Sequence, residues 1–298
     1  MRAFDAASVN GGTITDNGDG TFTDSGQSLG YRFSTVISLT DIDGDSDIDA
    51  IVGNGGNTDR QNKLWLNDGQ GIFYENGQLL EDKYTLDLVS GDIDNDGDID
   101  FITTGFGSGS SENKIWKNNG NGFFLESQVL GDEHITSTSL ILDDFNNDNF
   151  LDLVILNSFD TSIVYMNNGS GEFTNGAFII SIPLTNNKVG ASADFDLDGD
   201  QDLVVGLFSS TDYNKVLLND GVGNFTDEFS FKINATKDLG VFDLDGDGDK
   251  DLYFQNSNGQ NCRFWINTRN TTTISELSSE YSVYPNPFSN QITIKGSN

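Results

Sequence analysis

Five short stretches of this chain crowd carboxylates together in a repeated register. They read DIDGDSDID from Asp41, DIDNDGDID from Asp92, DFNNDNFLD from Asp144, DFDLDGDQD from Asp194 and DLDGDGDKD from Asp243. Counted from the first residue, side-chain oxygens fall at positions 1, 3, 5 and 9. These are Asp41, Asp43, Asp45 and Asp49, then Asp92, Asp94, Asp96 and Asp100, then Asp144, Asn146, Asp148 and Asp152. The last two loops supply Asp194, Asp196, Asp198 and Asp202, and Asp243, Asp245, Asp247 and Asp251. Position 7 adds a backbone carbonyl and carries Asp47, Asp98, Asp200 or Asp249 in four of the loops. Carboxylates packed this tightly repel one another unless a hard cation lies between them, and Ca²⁺ takes about six to eight oxygens in flexible geometry. Mg²⁺ suits the pattern less, because it prefers a tighter octahedron and keeps its water. Up to five Ca²⁺ are therefore expected. Gly97, Gly199 and Gly248 at position 6 permit a sharp turn. Ser46 stands there in the first loop, where some strain is expected. The third loop, with Asn146, Asn149 and Phe150, is expected to be the weakest site.

The loops are not EF-hands. An EF-hand needs Glu at the twelfth position and a helix after it, whereas Val52, Thr103, Ile155, Val205 and Phe254 stand there and lead into apolar, strand-like runs. The loop starts are 51, 52, 50 and 49 residues apart. A second motif, Asn-x-Gly-x-Gly-x-Phe, starts at Asn67, Asn118, Asn167 and Asn219, with Asp16 opening a variant of it. Two markers that share a period near 50 residues define a structural repeat. Each unit reads as four short strands, with the Asn/Asp-Gly turn closing a hairpin. Second strands such as LVIL and LVVGLF are continuously apolar, which implies burial on both faces. The expected fold is an all-β propeller of four-stranded antiparallel blades, with about five repeats. Four units are complete between Tyr31 and Asn234. The last unit shows three strands and then runs into NTRNTTT, while TITDNGDGTFTD near the N-terminus resembles third and fourth strands. Two geometries fit this: the N-terminal strand completes the last blade of a closed five-bladed ring, or the chain is a piece of a larger propeller.

Composition limits the partners. Of 298 residues, 15 are Lys or Arg and 47 are Asp or Glu, a formal charge of −32 with a pI near 4.1. Nucleic acid and anionic membrane are poor partners for such a surface, since both call for basic side chains. Low hydrophobicity and high charge also mark disorder, but 22 Phe, 8 Tyr and 3 Trp with 35% hydrophobic residues can build a core. Cys262 is the single cysteine, so no intramolecular disulfide forms, and His134 alone cannot make a multi-histidine zinc site. No run approaches the ~18 apolar residues of a membrane span, and MRAFDAASVNGG lacks the apolar core of a signal peptide. Taken alone, that N-terminus implies either a cytoplasmic protein or a missing leader.

Residues 13 to 267 resemble the FG-GAP/VCBS repeats of integrin-like β-propellers, on the strength of GDIDNDGDIDFITTG and LWLNDGQGIF. The resemblance implies structural Ca²⁺ between the first and second strands of each blade and carries over no catalytic residue. Residues 268–280 read as a Thr/Ser-rich linker, and YSVYPNPFSNQITIKGSN from Tyr281 resembles the opening of a type IX secretion C-terminal sorting domain, cut short at Asn298. That implies export by the type IX machinery and a secreted or cell-surface location.

The loops between second and third strands fall on the face opposite the acidic loops. Arg60, Phe106, Phe159, Phe208 and Tyr213 are its contact candidates for an extracellular protein or glycan. The recurrent aromatics Trp65, Trp116, Tyr165 and Trp265 are expected to pack blades together. The chain has no nucleophile elbow, phosphate-binding loop or histidine cluster. The expected function is a non-catalytic adhesion or interaction module, the alternative being an accessory domain of a larger secreted enzyme.

Overall fold

A computed structural model describes residues 12–16, 21–30, 33–56, 60–80, 83–106, 112–131, 134–180, 188–231, 235–257, 262–268, 271–276, 281–284 and 293–296. The chain opens with an antiparallel hairpin, β1 (Gly12–Asp16) and β2 (Phe22–Ser28). Five four-stranded antiparallel sheets follow, each paired in chain order. The first comprises β3 (Ser34–Thr40), β4 (Asp49–Asn54), β5 (Lys63–Asn67) and β6 (Phe73–Glu75). The second comprises β7 (Leu88–Gly91), β8 (Asp100–Thr103), β9 (Asn113–Asn118) and β10 (Phe124–Leu130). The third comprises β11 (Ser137–Asp143), β12 (Asp152–Asn157), β13 (Ser162–Asn167) and β14 (Phe173–Ile180). The fourth comprises β15 (Lys188–Ala193), β16 (Asp202–Leu207), β17 (Asn214–Asn219) and β18 (Phe225–Phe231), and the fifth β19 (Thr236–Phe242), β20 (Asp251–Asn256), β21 (Arg263–Thr268) and β22 (Thr271–Glu276). A last two-stranded sheet pairs β23 (Tyr281–Tyr284) with β24 (Thr293–Gly296). No helix occurs among the described residues.

Burial explains why these sheets stack. Every residue of β12 and β16 is buried, as their unbroken apolar runs require. Outer strands such as β10 and β18 are largely exposed. The first strands pack in succession, β3 on β7, β7 on β11, β11 on β15 and β15 on β19, so the sheets are blades arranged in a ring. No comparable packing joins β19 to β3 among the described residues. The core consists of apolar layers between neighbouring blades. Ile141, Val154 and Leu156 of the third blade meet Leu203, Val205 and Leu207 of the fourth. Trp116 stacks on Phe101 at a centroid distance of 5.8 Å, and Trp265 lies 4.9 Å from Phe231. Trp116, Tyr165 and Trp265 are buried and Trp65 half-buried, in keeping with a role in blade packing.

The two ends of the chain differ from expectation. The fifth blade has its own fourth strand, β22, paired with β21 inside the stretch read as linker. The N-terminal strand therefore does not complete that blade. The hairpin β1–β2 instead lies before the first blade: the Gln27 amide donates to the Phe73 carbonyl and accepts from the Phe73 N–H. The same two-way bond joins Gln78 to Phe124 and Gln128 to Phe173 in the blades that follow. By this contact the hairpin stands where the outer half of a preceding blade would stand.

Candidate metal centres

Each acidic loop joins the first strand of a blade to its second and is held by the same hydrogen bonds. The position 9 aspartates, Asp49, Asp100, Asp152, Asp202 and Asp251, are fully buried. In every blade Oδ2 of this residue accepts from the position 2 N–H, and Oδ1 accepts from the N–H of an Asn at or beside the end of the third strand, which opens an Asn-x-Gly turn in the first four blades and is Asn267 in the fifth. In the fourth blade these bonds come from Phe195 at 2.9 Å and Asn219 at 2.8 Å. Position 1 accepts from position 6, as Asp92 does from Gly97 at 3.1 Å, and position 5 accepts from position 7, as Asp96 does from Asp98 at 3.0 Å. The loop is thus pinned at both ends and at its middle.

Two positions require left-handed backbone. Position 6 has φ of 74° at Ser46, 96° at Gly97, 68° at Asn149, 100° at Gly199 and 95° at Gly248. Position 4 was not singled out from sequence, yet it is left-handed too, at Gly44, Asn95, Asn147, Leu197 and Gly246. Leu197, at φ 65°, bears the greatest strain, because a Cβ crowds the following carbonyl there. The turn opposite needs glycine for a second reason: at Gly120 a Cβ would lie 2.6 Å from Asp98 Oδ2.

The loops concentrate negative charge. Asp41, Asp43 and Asp45 bring one oxygen each within 4.8 Å of one another, as do Asp92, Asp94 and Asp96, then Asp194, Asp196 and Asp202, then Asp243, Asp245 and Asp251. Among the described residues, buried oxygens without a hydrogen-bond partner include Asp43 Oδ1, Asp92 Oδ1, Asp94 Oδ1 and Asp194 Oδ1. Burial, aided by the neighbouring acids, raises Asp43 above the usual carboxylate range. Burial pushes Asp100 and Asp152 up to about 6 and Asp202 up to about 7. A buried carboxylate oxygen with no donor is costly, and a cation removes that cost. The donor set, all hard oxygen, fits Ca²⁺.

The structure separates the expected ligands. Asp47, Asp98 and Asp200 carry their carboxylates toward Gly69, Gly120 and Gly221 of their own blade's turn, outside the clusters. Position 9 joins a cluster in the fourth and fifth loops only, while Asp198 and Asp247 lie outside those two. In the third loop the Asn146 amide takes the place of a carboxylate, with Oδ1 accepting from Asp148 N–H at 3.0 Å, and Phe150 lies against Gly169. Sequence reasoning also missed Lys117, whose ammonium sits 3.0 Å from Asp94 Oδ2 and donates to the Ser170 carbonyl of the next blade. It missed a bond between blades as well. The amides of Asn118, Asn167, Asn219 and Asn267 donate to the position 2 carbonyls of the preceding loop, Ile42, Ile93, Phe145 and Phe195, at 2.7 to 2.8 Å. Recurrence of this Asn at every turn was the available signal.

On the opposite face, Phe106, Phe159 and Tyr213 are exposed, and Arg60 and Phe208 half-buried. The Phe106 ring lies 5.1 Å from Tyr84. Cys262 is a free, exposed thiol that accepts from the Tyr253 hydroxyl at 3.1 Å, and His134 is exposed. The Pro-Asn-Pro segment of the sorting-signal resemblance lies outside the described residues.

Blades of four strands, each with an Asp-rich loop clasped to its own third strand and the first four also to the next blade, define a β-propeller built from acidic-loop repeats. The chain belongs to the FG-GAP-like repeat family, whose model matches residues 41–103, 92–155, 144–205 and 194–254. No curated protein matches the chain. Among solved structures, Aleuria aurantia lectin in complex with Fucα1-6GlcNAc is similar at 15% identity and a TM-score of 0.52, over 89% of this chain and 86% of that one. A second structure of that lectin, described as a six-bladed propeller, is 14% identical over 89% and 85% of the two chains, with a TM-score of 0.52. BBS1N in complex with ARL6DN is 13% identical over 75% and 62%, with a TM-score of 0.50. At these identities the likeness concerns the fold, which serves a sugar-binding protein in one case and is found with a protein partner in the other.

Proposed function

We propose that this chain is a non-catalytic interaction module whose blades are stabilised by Ca²⁺ in the acidic loops and whose ligand is a carbohydrate bound on the face away from them. The observation that carries the calcium reading is the set of buried carboxylate oxygens left without donors inside clusters of three acids, seen most clearly at Asp92 and Asp94. Bound Ca²⁺ supplies the positive charge these oxygens lack. Positions 1, 3 and 5 offer the oxygens in the first two loops and positions 1, 3 and 9 in the fourth and fifth, where position 9 also keeps the loop closed on its turn. Five ions would bring the formal charge from −32 to −22. Sites of this kind suit the high free calcium outside cells. We accordingly place the protein outside the cell or on its surface, with the type IX secretion machinery as export partner on the strength of the segment from Tyr281.

The similarity to a sugar-binding propeller favours a glycan over a protein ligand, and Arg60, Phe106, Phe159, Phe208 and Tyr213 are the loop residues placed to touch it. A glycan array probed with the full chain tests this. Signal is expected in calcium, with loss in chelator and weakening in Phe106→Ala, Phe208→Ala and Tyr213→Ala. Signal unaffected by all three substitutions would remove these loops from the site.

A further inference from the structure

A cleft of about 410 Å³ lies between the second and third blades, lined from one side by β9 and β10 and from the other by residues of β11 to β14. Its lining includes the starts of β9 and β11 and the ends of β10 and β12, so it sits toward the face opposite the acidic loops. Two local departures from the repeat accompany it. At the position held by Trp65, Trp116 and Trp265 in three blades and by Leu217 in the fourth, the third blade has Tyr165, which forms one wall. At the other wall, Asn113 is 2% exposed and its Oδ1 has no hydrogen-bond partner among the described residues.

That orphan oxygen breaks a pattern. The equivalent Asn62 accepts from Asn54 N–H at 2.9 Å and donates to Thr85 Oγ1 of the next blade at 2.9 Å. Asn214 likewise accepts from Leu207 N–H and donates to Thr236 Oγ1, both at 2.8 Å. In the second blade, β8 ends at Thr103, short of the residue that would supply the donor, and the Asn113 amide turns to donate to the Leu130 carbonyl at 3.3 Å. A buried acceptor at the wall of a cleft calls for a donor from outside, because leaving it bare forfeits its hydration with nothing in return.

We infer that this cleft is a binding site for one neutral sugar residue, a reading that rests on the carbohydrate function proposed above and locates it. The cleft volume lies within the roughly 300–1,000 Å³ of small-molecule sites. Among the described residues no acidic or basic side chain lines it, which suits an uncharged ligand. Tyr165, Phe173 and Ile163 present apolar surface suited to the C–H face of a pyranose, and Asn113 Oδ1 accepts from a ring hydroxyl. Asn175, exposed at the rim, offers a further amide.

The test uses the full chain in calcium and a panel of methyl glycosides of neutral hexoses, 6-deoxyhexoses and N-acetylhexosamines, with binding read by saturation-transfer NMR and titration. Tyr165→Trp places the residue of three other blades in the cleft and fills it, exchanging the phenol hydroxyl for an indole N–H. Asn113→Leu removes the acceptor. At least one glycoside is expected to bind, and each substitution should weaken it by about tenfold or more, with Tyr165→Trp keeping the wild-type melting temperature. Binding that survives Tyr165→Trp within about twofold would overturn the cleft and leave the carbohydrate function standing. Failure of the unsubstituted chain to bind any neutral glycoside would overturn the cleft and count against that function as well.

Discussion

The third and fourth acidic loops lie side by side and differ in one respect that matters. In the fourth, Asp194, Asp196 and Asp202 gather three carboxylate oxygens within 4.8 Å. In the third, Asn146 stands where Asp196 stands, and Phe150 where Asp200 stands. Their frames nevertheless coincide. Asp152 and Asp202 are both fully buried, and both accept from position 2 of the loop and from the turn Asn. Position 6 is left-handed in both, as Asn149 and as Gly199. Loop shape is therefore set by positions 1, 5, 6 and 9, and charge varies separately at positions 3 and 7, of which only position 3 lies in the carboxylate cluster. The blades are also tied through this region, since the Asn147 amide donates to Asp200 Oδ1 at 2.6 Å and the Asn219 amide to the Phe145 carbonyl at 2.8 Å.

The comparison can be broken most severely at the frame. Asp152→Ala and Asp202→Ala each strip two buried backbone donors of their acceptor, and each is expected to cost about 3 kcal/mol or more in chelator. Denaturant unfolding measures this, and a mild effect at Asp152 alone would show that the third loop is held differently. Chelation comes next: removing calcium should lower the melting temperature of the unsubstituted chain by several degrees, because a ligand bound only to the folded state stabilises it. Coincident melting curves with and without chelator would remove calcium from the account.

Charge can then be moved between the loops. Asn146→Asp should give the third loop a site like the fourth, and Asp196→Asn should weaken the fourth toward the third, by about tenfold in calcium affinity in each case. Competition titration against a chromophoric chelator reads both, and unchanged affinities would assign the cation to other residues.

Acidity tests the same electrostatics. Burial raises Asp100, Asp152 and Asp202 to about 6, 6 and 7, so the metal-free folded state holds protons that the unfolded chain has released. Their contribution to stability is fully present below the ordinary carboxylate range and is lost as pH rises through about 7. Metal-free protein should melt lower at pH 7.5 than at pH 5.5, and calcium should remove most of that difference. The smallest effect is expected at Leu197→Gly, which relieves left-handed strain and should stabilise the chain by up to about 1 kcal/mol.

Much of this molecule was legible in its sequence because stacked blades repeat one solution. The acidic loop and the Asn-x-Gly turn recur every 50 residues or so because each must meet the other and the neighbouring blade. What escaped was what depends on neighbours. TRNTTTISE read as linker because it is polar, yet β22 is an outer strand, and the outer strands β10 and β18 are themselves mostly exposed and need no apolar run. The position of β1–β2 rests on the Gln27–Phe73 contact, which no local pattern announces. Leu197 carries no mark of left-handed backbone, whereas Gly44, Asn95, Asn147 and Gly246 at the same position do. The bare oxygen of Asn113 follows from where β8 ends, and a repeat motif does not encode that.

The central claim is that the four clustered loops hold calcium and the third holds it less well. Native mass spectrometry of the full chain, titrated with Ca²⁺ and separately with Mg²⁺, measures this directly. Four Ca²⁺ should bind first and a fifth only at higher calcium, with Mg²⁺ binding more weakly throughout. A chain that retained no Ca²⁺, or took Mg²⁺ equally well, would contradict it.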